Sequence, residues 1–333
     1  YQGAVVAMQT LNKLPTLQQR VGNRYWDGAA NPVIEQGADA IGTPLVSSEE
    51  AGTAIDQRGI WGRIEGAHSR LEPNGSGMKQ DINTYLMQAG VDGQFYEGES
   101  GKLIGGITGQ YGNAHSDISS RQSDGDVETQ GWGLGGTLTW YGDHGFYVDT
   151  QAQATWYDND FNSTTANKSL ANGRKGFGYA LSAETGQRFD LNNNWSLTPQ
   201  AQLMWSSIRF DGFSDVFGTA VALNDGDSLT GRIGISADYR NAWRDANGQL
   251  TRTSVYGIAN LYQEFLGDMS VKVAGTTFGT GDDKTWGGLG AGGTYAWADD
   301  KYALYGEGSI NTSLNNFADS YSLKATIGFR TKW

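Results

Sequence analysis

Residues 146–157 read Phe146-Tyr147-Val148-Asp149-Thr150-Gln151-Ala152-Gln153-Ala154-Thr155-Trp156-Tyr157. Phe146, Val148, Thr150, Ala152, Ala154 and Trp156 form one alternate row; Tyr147, Asp149, Gln151, Gln153, Thr155 and Tyr157 form the other. A strand puts these rows on opposite faces, one largely apolar and one polar. Trp195 to Ser206 repeats the pattern, with Trp195, Leu197, Pro199, Ala201, Leu203 and Trp205 on the apolar side. So does Leu229 to Arg240, where Leu229, Gly231, Ile233, Ile235, Ala237 and Tyr239 oppose Thr230, Arg232, Ser236, Asp238 and Arg240. The chain closes on Tyr321, Leu323, Ala325, Ile327, Phe329 and Trp333 against Ser322, Lys324, Thr326, Arg330 and Lys332. In each apolar row the aromatic rings stand at the ends and small or aliphatic residues lie between. Aromatic girdles at two membrane interfaces, with an aliphatic band between them, have this form. A soluble β-sandwich or β-helix, the alternative fold, gives no reason for rings at both strand ends.

Twelve such segments start near Gly59, Asn83, Lys102, Thr129, Gly145, Lys175, Trp195, Ser228, Thr253, Thr285, Tyr302 and Tyr321. Long polar connections near 72–82, 113–128, 158–174, 209–227, 265–284 and 312–320 alternate with mostly short ones near Glu97–Gly101, Gly142–His144, Leu191–Asn194, Arg240–Gln249 and Ala298–Asp300. Long outer loops, short periplasmic turns and an even strand number are the marks of an outer-membrane barrel. The expected fold is all-β, a 12-stranded antiparallel transmembrane barrel over residues 57–333.

Composition supports this reading. Gly supplies 49 of 333 residues and the aromatics 12%, a mixture that suits strands better than helix interiors. The absence of Cys rules out a disulfide scaffold, a zinc ribbon and thiol catalysis, and three His leave little for a metal centre. A net charge of −12 argues against nucleic acid as a partner. No stretch is apolar for about 18 residues, which excludes a transmembrane helix but not a barrel. Tyr1 opens no basic-then-apolar signal pattern, so the start is expected to be either processed or interior to a longer chain.

The head differs from the rest. Residues 1–25 hold no acid but carry Lys13, Arg20 and Arg24. Leu11, Leu14, Leu17 and Val21 recur at helical spacing, with Val5 and Met8 before them; Gly22 is a plausible stop, and Pro15 either kinks the helix or opens its second half. About 20 helical residues would span about 30 Å, the hydrocarbon thickness. This helix is too polar for lipid and fits a polar lumen. Residues 26–56 read as a linker.

The head Tyr1-Gln2-Gly3-Ala4-Val5-Val6-Ala7-Met8 with Leu14-Pro15 and Arg20 resembles the segment before the barrel in the autotransporter (type Va secretion) translocator family. The motifs Leu229-Thr230-Gly231-Arg232-Ile233-Gly234, Ser182-Ala183-Glu184-Thr185-Gly186 and Gly90-Val91-Asp92, and the ending Ile327-Gly328-Phe329-Arg330-Thr331-Lys332-Trp333, resemble it too. Within the family the chain resembles adhesin-type members, such as the adhesin involved in diffuse adherence. The resemblance implies a helix through the lumen, a passenger upstream of Tyr1 exported to the surface of a Gram-negative cell, and an assembly signal at Ile327, Phe329 and Trp333. It also implies outer-membrane lipid, the passenger, the barrel insertion machinery and periplasmic chaperones as partners, and no cofactor. Members that cut their passenger inside the barrel use an Asn pair in the helix; Asn12 and Asn23 are isolated.

The inward polar rows contain Asp92, Asp149, Glu184, Asp238, Glu264 and Glu307, with Arg63, Arg232, Arg240, Lys324 and Arg330. Arg20 and Lys13 are expected to meet carboxylates there at reduced dielectric. The glycine rows Gly131, Gly133, Gly135, Gly136 and Gly287, Gly288, Gly290, Gly292, Gly293 permit either a close partner, such as the helix, or strand curvature. Asp282-Asp283, Asp124, Asp126 and His115 in outer loops are expected to be solvated rather than catalytic, and the neighbours His68 and Ser69 face opposite sides of a strand. The reading is a non-enzymatic translocator with in-barrel self-cleavage left open. A general porin is the alternative, and an outer-membrane protease or phospholipase barrel stands behind it.

Overall fold

The computed structural model describes residues 1–24, 33–35, 58–72, 77–121, 123–266, 269–279, 281 and 283–333. The barrel strands are β1 (Arg58–Leu71), β2 (Met78–Gly98), β3 (Gly101–Ser120), β4 (Asp124–Gly142), β5 (Phe146–Ser163), β6 (Lys168–Gln187), β7 (Trp195–Phe210), β8 (Asp227–Arg244), β9 (Leu250–Glu264), β10 (Thr285–Trp297), β11 (Tyr302–Ser313) and β12 (Tyr321–Lys332). Each pairs antiparallel with the next, and β12 pairs with β1 from Tyr321↔Arg70 to Lys332↔Gly59. Closure leaves no ladder edge unsatisfied in lipid.

The alternation governs which side each residue faces. Along β5, Asp149, Gln151, Gln153, Thr155 and Tyr157 are buried in the lumen, while Trp156 is 52% exposed on the outside. The outward rings form two belts. Trp195–Tyr239, Tyr295–Trp297 and Tyr302–Phe329 pack at the turn side; Tyr111–Trp132, Trp156–Phe177 and Tyr179–Trp205 pack toward the loop side. The step from Phe146 to Trp156 covers about 26 Å of membrane normal at about 3.4 Å per residue and about 40° tilt, the height of a lipid-facing band.

The loop-side ends correct the sequence expectation. The segments 113–128 and 158–174 are mostly strand: β3 runs on to Ser120 and β4 starts at Asp124, and β5 and β6 run on to a turn at 164–167. Above the upper belt the outer face no longer meets lipid, so Asp117, Asp126 and Glu128 replace apolar residues there and the alternation fades although the ladder continues. The connections 211–226 and 265–284 do not stay loops either. They supply the strands Phe213–Ser214, Ala220–Asp225, Ser270–Val273 and Thr276–Gly279, a four-stranded sheet over the barrel mouth. At the turn side Val33–Glu35 pairs parallel with Ala242–Arg244 of β8; the rest of the expected linker 26–56 lies outside the described residues, as does Asp282.

Ser123 sits exposed in a loop-side turn and Asn193 exposed in a turn-side one. With Ser123→Cys and Asn193→Cys in intact cells, an impermeant thiol reagent is expected to label the first alone. Equal labelling, or labelling of the second alone, would reverse the orientation.

The glycines also find their reason. Lumenal rings lie over the glycine directly opposite in register: Trp61 over Gly90, Tyr147 over Gly186, Tyr157 over Gly131, Tyr256 over Gly292 and Tyr305 over Gly328. A side chain at those positions would occupy the ring's place. Within the glycine rows, Gly131 and Gly292 thus make room for a cross-strand ring. The helix instead approaches Gly112 (through Leu11) and Gly176 and Gly178 (through Met8 and Asn12).

Candidate functional site: the occupied lumen

The head is not one helix of about 20 residues. It forms α1 (Gln2–Leu11) and α2 (Leu17–Val21), with residues 12–16 between them. Pro15 cannot continue the α1 ladder. Thr16 restarts the helix as an N-cap: its hydroxyl accepts from the Gln19 amide at 3.2 Å, and the Gln19 side chain accepts from the Thr16 amide at 3.3 Å. Gly22 ends it at φ +69°. The segment runs through the barrel with Tyr1 at the loop side and Arg24 at the turn side.

The loop-side half is apolar. Val5, Met8 and Leu11 are buried with Ala4, Val6 and Ala7 against Ile82, Val127, Phe161, Ile208, Phe213 and Val271. Burying one such aliphatic side chain stabilises by about 1.5–3 kcal/mol, so this contact is substantial. The Tyr1 ring packs on Phe161 and Phe213, and its hydroxyl donates to Asp215 Oδ2 at 2.6 Å. Burial pulls the Asp215 carboxyl upward, but the Tyr1 hydroxyl and the amides of Thr219 and Phe217 outweigh it and hold the group below the ordinary carboxylate value. Where α1 ends, Asn12 Nδ2 donates to the Tyr179 carbonyl at 3.0 Å and Gln151 Nε2 to the Pro15 carbonyl at 2.8 Å.

The turn-side half is charged. Arg20, 1% exposed, donates to Asp149 at 2.5 Å and to the Thr139 hydroxyl at 3.3 Å, and its guanidinium lies 5.9 Å from the Trp61 ring centroid. Glu184 accepts from the Leu17 amide at 3.2 Å and the Tyr147 hydroxyl at 2.7 Å, and pairs with Arg232 at 3.3 Å. Glu307 accepts from Gln19 Nε2 at 2.6 Å and the Tyr256 hydroxyl at 2.7 Å. Lys324 donates to Gln19 Oε1 at 3.1 Å. Arg330 donates to the Val21 carbonyl at 2.8 Å, capping the end of α2, and Asp92 takes Arg24 at 2.5 Å. Asp238 accepts from Ser236 at 2.8 Å and from the Gln18 side chain. Leu14 and Leu17 are buried beside this network, whereas Lys13 is exposed at the break. Glu264 lies near the loop side, held by Ser228, Thr230 and the Leu229 amide.

Three contacts escaped the sequence reading. Arg24 had a signal, as the third cation of an acid-free head. Gln19 had a weaker one, the Thr16-x-x-Gln19 capping pattern. The Tyr305 hydroxyl, which donates to the Arg20 carbonyl at 2.5 Å, had none, since a backbone acceptor leaves no trace in residue type. Ile327 (54% exposed) and Phe329 (43%) face the lipid side, and Trp333 (62%) ends the chain with its amide near the Arg58 carbonyl. Among the described residues no cluster of His, Asp and Glu is arranged to hold a metal ion. His115 lies between Asp117 and Glu128 on the exposed outer face of β3 and β4.

The profile of the autotransporter β-domain family matches residues 60–309. The adhesin BmaC autotransporter of Brucella suis biovar 1 (strain 1330) is 44% identical over 335 residues, covering all of this chain and 9% of that protein. The pertactin autotransporter of Bordetella parapertussis is 26% identical over 77% of this chain and 28% of its own length. The chain therefore spans only a small part of these relatives. In fold it matches the transport unit of the autotransporter AIDA-I from Escherichia coli, with TM-score 0.70 at 19% identity over 82% of this chain and 90% of that one.

Proposed function

The chain belongs to the autotransporter β-domain family, and from that premise we propose that it is the outer-membrane translocator of a longer protein whose N-terminal passenger it exports and anchors. The direction of the lumenal segment carries the reading. Tyr1 meets Asp215 and Gln2 meets the Gly279 carbonyl at the loop-side mouth, while Arg330 and Asp92 hold Val21 and Arg24 at the other end. A polypeptide joined to Tyr1 would leave on the outside, the arrangement expected once export is complete. Residues 1–24 then act as a plug. A passenger of adhesin type is supported by the name of the Brucella relative. The barrel itself does no chemistry on this reading: Asn12 and Asn23 do not form a pair, and their side-chain amides donate to the Tyr179 carbonyl and the Ser254 hydroxyl. A general porin needs an open lumen, which this segment fills.

A reporter domain fused ahead of Tyr1 tests the reading. It is expected to become accessible to protease added to intact cells, with the barrel protected. A reporter that stays in the periplasm while the barrel is folded would overturn it.

Assembly gives a second expected result. Barrel closure depends on presenting β12 to the insertion machinery, the partner we propose for Trp333. Because Trp333 is exposed and Ile327 and Phe329 remain without it, its deletion is expected to lower the inserted amount in cells severalfold while barely changing refolding in detergent. Heat-modifiable migration reads both. A normal level in cells would refute the targeting role, and equal loss in detergent would make the residue structural.

A further inference from the structure

At the turn-side end of the lumen, the segment and the wall do not close completely. A cavity of about 80 Å³ remains between Gly22, Asn23 and Arg24 on one side and Arg188, Ser196 and Arg240 on the other. A single water needs roughly 10–15 Å³ by this kind of measure, so the space admits a small molecule. Its wall is rich in donors. Arg240 is 1% exposed; its Nη2 donates to Asp190 at 2.7 Å, yet Nε and Nη1 have no partner among the described residues. The Ser196 hydroxyl is fully buried and equally without a partner there. A buried guanidinium with unmet N–H groups is costly unless an acceptor reaches it. Arg188 adds a second cation, sharing Asp190 with Arg240.

We propose that this cavity is a binding site for a small carboxylate, held by Arg240 and Ser196 with Arg188 alongside. The charge balance selects the class. Arg188 and Arg240 face Asp190, which is largely on the solvent side, and Asp238, which also lines the cavity. Such a wall favours a singly charged planar acceptor over a dianion, because Asp238 opposes any second negative charge, and a planar carboxylate suits guanidinium donors. Gly22–Arg24 form part of the wall, so the site is complete only with the lumenal segment in place. Binding therefore favours the plugged state by mass action: at tenfold excess over the dissociation constant, the open population falls about elevenfold. This inference rests on the plug reading, but binding to the intact chain can be measured without any conductance.

The experiment titrates the folded barrel, with its lumenal segment in place, in detergent with sodium acetate, against sodium chloride at equal ionic strength, and reads calorimetric heat and the thermal midpoint of heat-modifiable migration. Saturable acetate binding, absent with chloride, lost in Arg240→Gln and weakened several-fold in Ser196→Ala, is expected. Inert acetate, or equal binding by Arg240→Gln, overturns the proposal. Phosphate binding more tightly than acetate would overturn the assigned class. Ser196→Ala, which removes one oxygen, keeps the test readable if Arg240→Gln fails to fold. Should acetate bind while deletion of residues 1–24 leaves conductance unchanged, the site stands and the plug reading falls.

Discussion

Removal of residues 1–24 is expected to convert a barrel of small, mostly closed conductance into one that is steadily open. The reason is occupancy along the whole pore axis. The apolar half fills the loop-side chamber, with Val5, Met8 and Leu11 at 2% exposure or less. The charged half fills the turn-side chamber, where Arg20 and Arg24 are almost fully buried by opposing strands. The four-stranded sheet over the mouth narrows the entrance but rests on α1 through Phe213, Val221 and Val271, so its support goes with the segment. The strand ladder does not depend on the segment, since every barrel strand pairs with both neighbours. The deleted protein should therefore still show heat-modifiable migration and fail only to stay closed. Planar-bilayer recordings of the two proteins check this. Equal conductance would remove the plug from the proposed function.

The barrel was legible because its physics repeats with a period of two. Every lipid-crossing stretch must be apolar on one face, and Phe146 to Tyr157 states the rule in twelve residues. The rule stops where lipid stops. Asp117, Asp126 and Glu128 lie on the same ladder as Ile107 and Trp132 but point to water, so β3 and β4 looked like loop there. The helix was half legible. Its cations and leucine spacing were visible, but its division was hidden in the competition between Pro15 and the Thr16 cap. The apolar chamber leaves no such trace: strand alternation implies a polar lumen throughout, whereas Phe161, Phe213, Val221 and Val271 come from a strand extension and from segments with loop-like sequence. Nothing local in those sequences says that they fold back over one mouth. Of the lumenal carboxylates, sequence supplied the facing but not the pairing. Parity placed Asp149, Glu184 and Glu307 inside; only the three-dimensional register makes their partners Arg20, the Leu17 amide and Gln19.

The pairing of Arg20 with Asp149 sets the second large effect. In Asp149→Ala the Arg20 guanidinium keeps one hydroxyl, Thr139, and the Trp61 ring, but loses its counter-charge in a site that excludes solvent. Breaking a buried pair from one side costs about 3–5 kcal/mol, because the remaining charge stays unsolvated. Here the segment has an escape, since leaving the lumen rehydrates Arg20. The cost is therefore expected to appear as plug release rather than barrel unfolding, with the open fraction rising by roughly two to three powers of ten at about 1.4 kcal/mol per tenfold. The double change Arg20→Leu/Asp149→Leu removes both charges and should recover most of the closed state, because a buried pair exchanged for apolar groups of similar size is often neutral. Asp158→Asn makes the comparison: it breaks the pair with Lys175 on the exposed outer wall, where ion pairs contribute about 0–1 kcal/mol, and should leave closure unchanged. Salt separates the two cases further, since raising it screens the exposed pair and leaves the buried one nearly intact. Single-channel open probability for the four proteins at low and high salt gives the comparison. If Asp149→Ala opens the barrel no more than Asp158→Asn does, the Arg20 pair does not hold the segment, and its retention rests on the apolar chamber and the remaining contacts of the charged half.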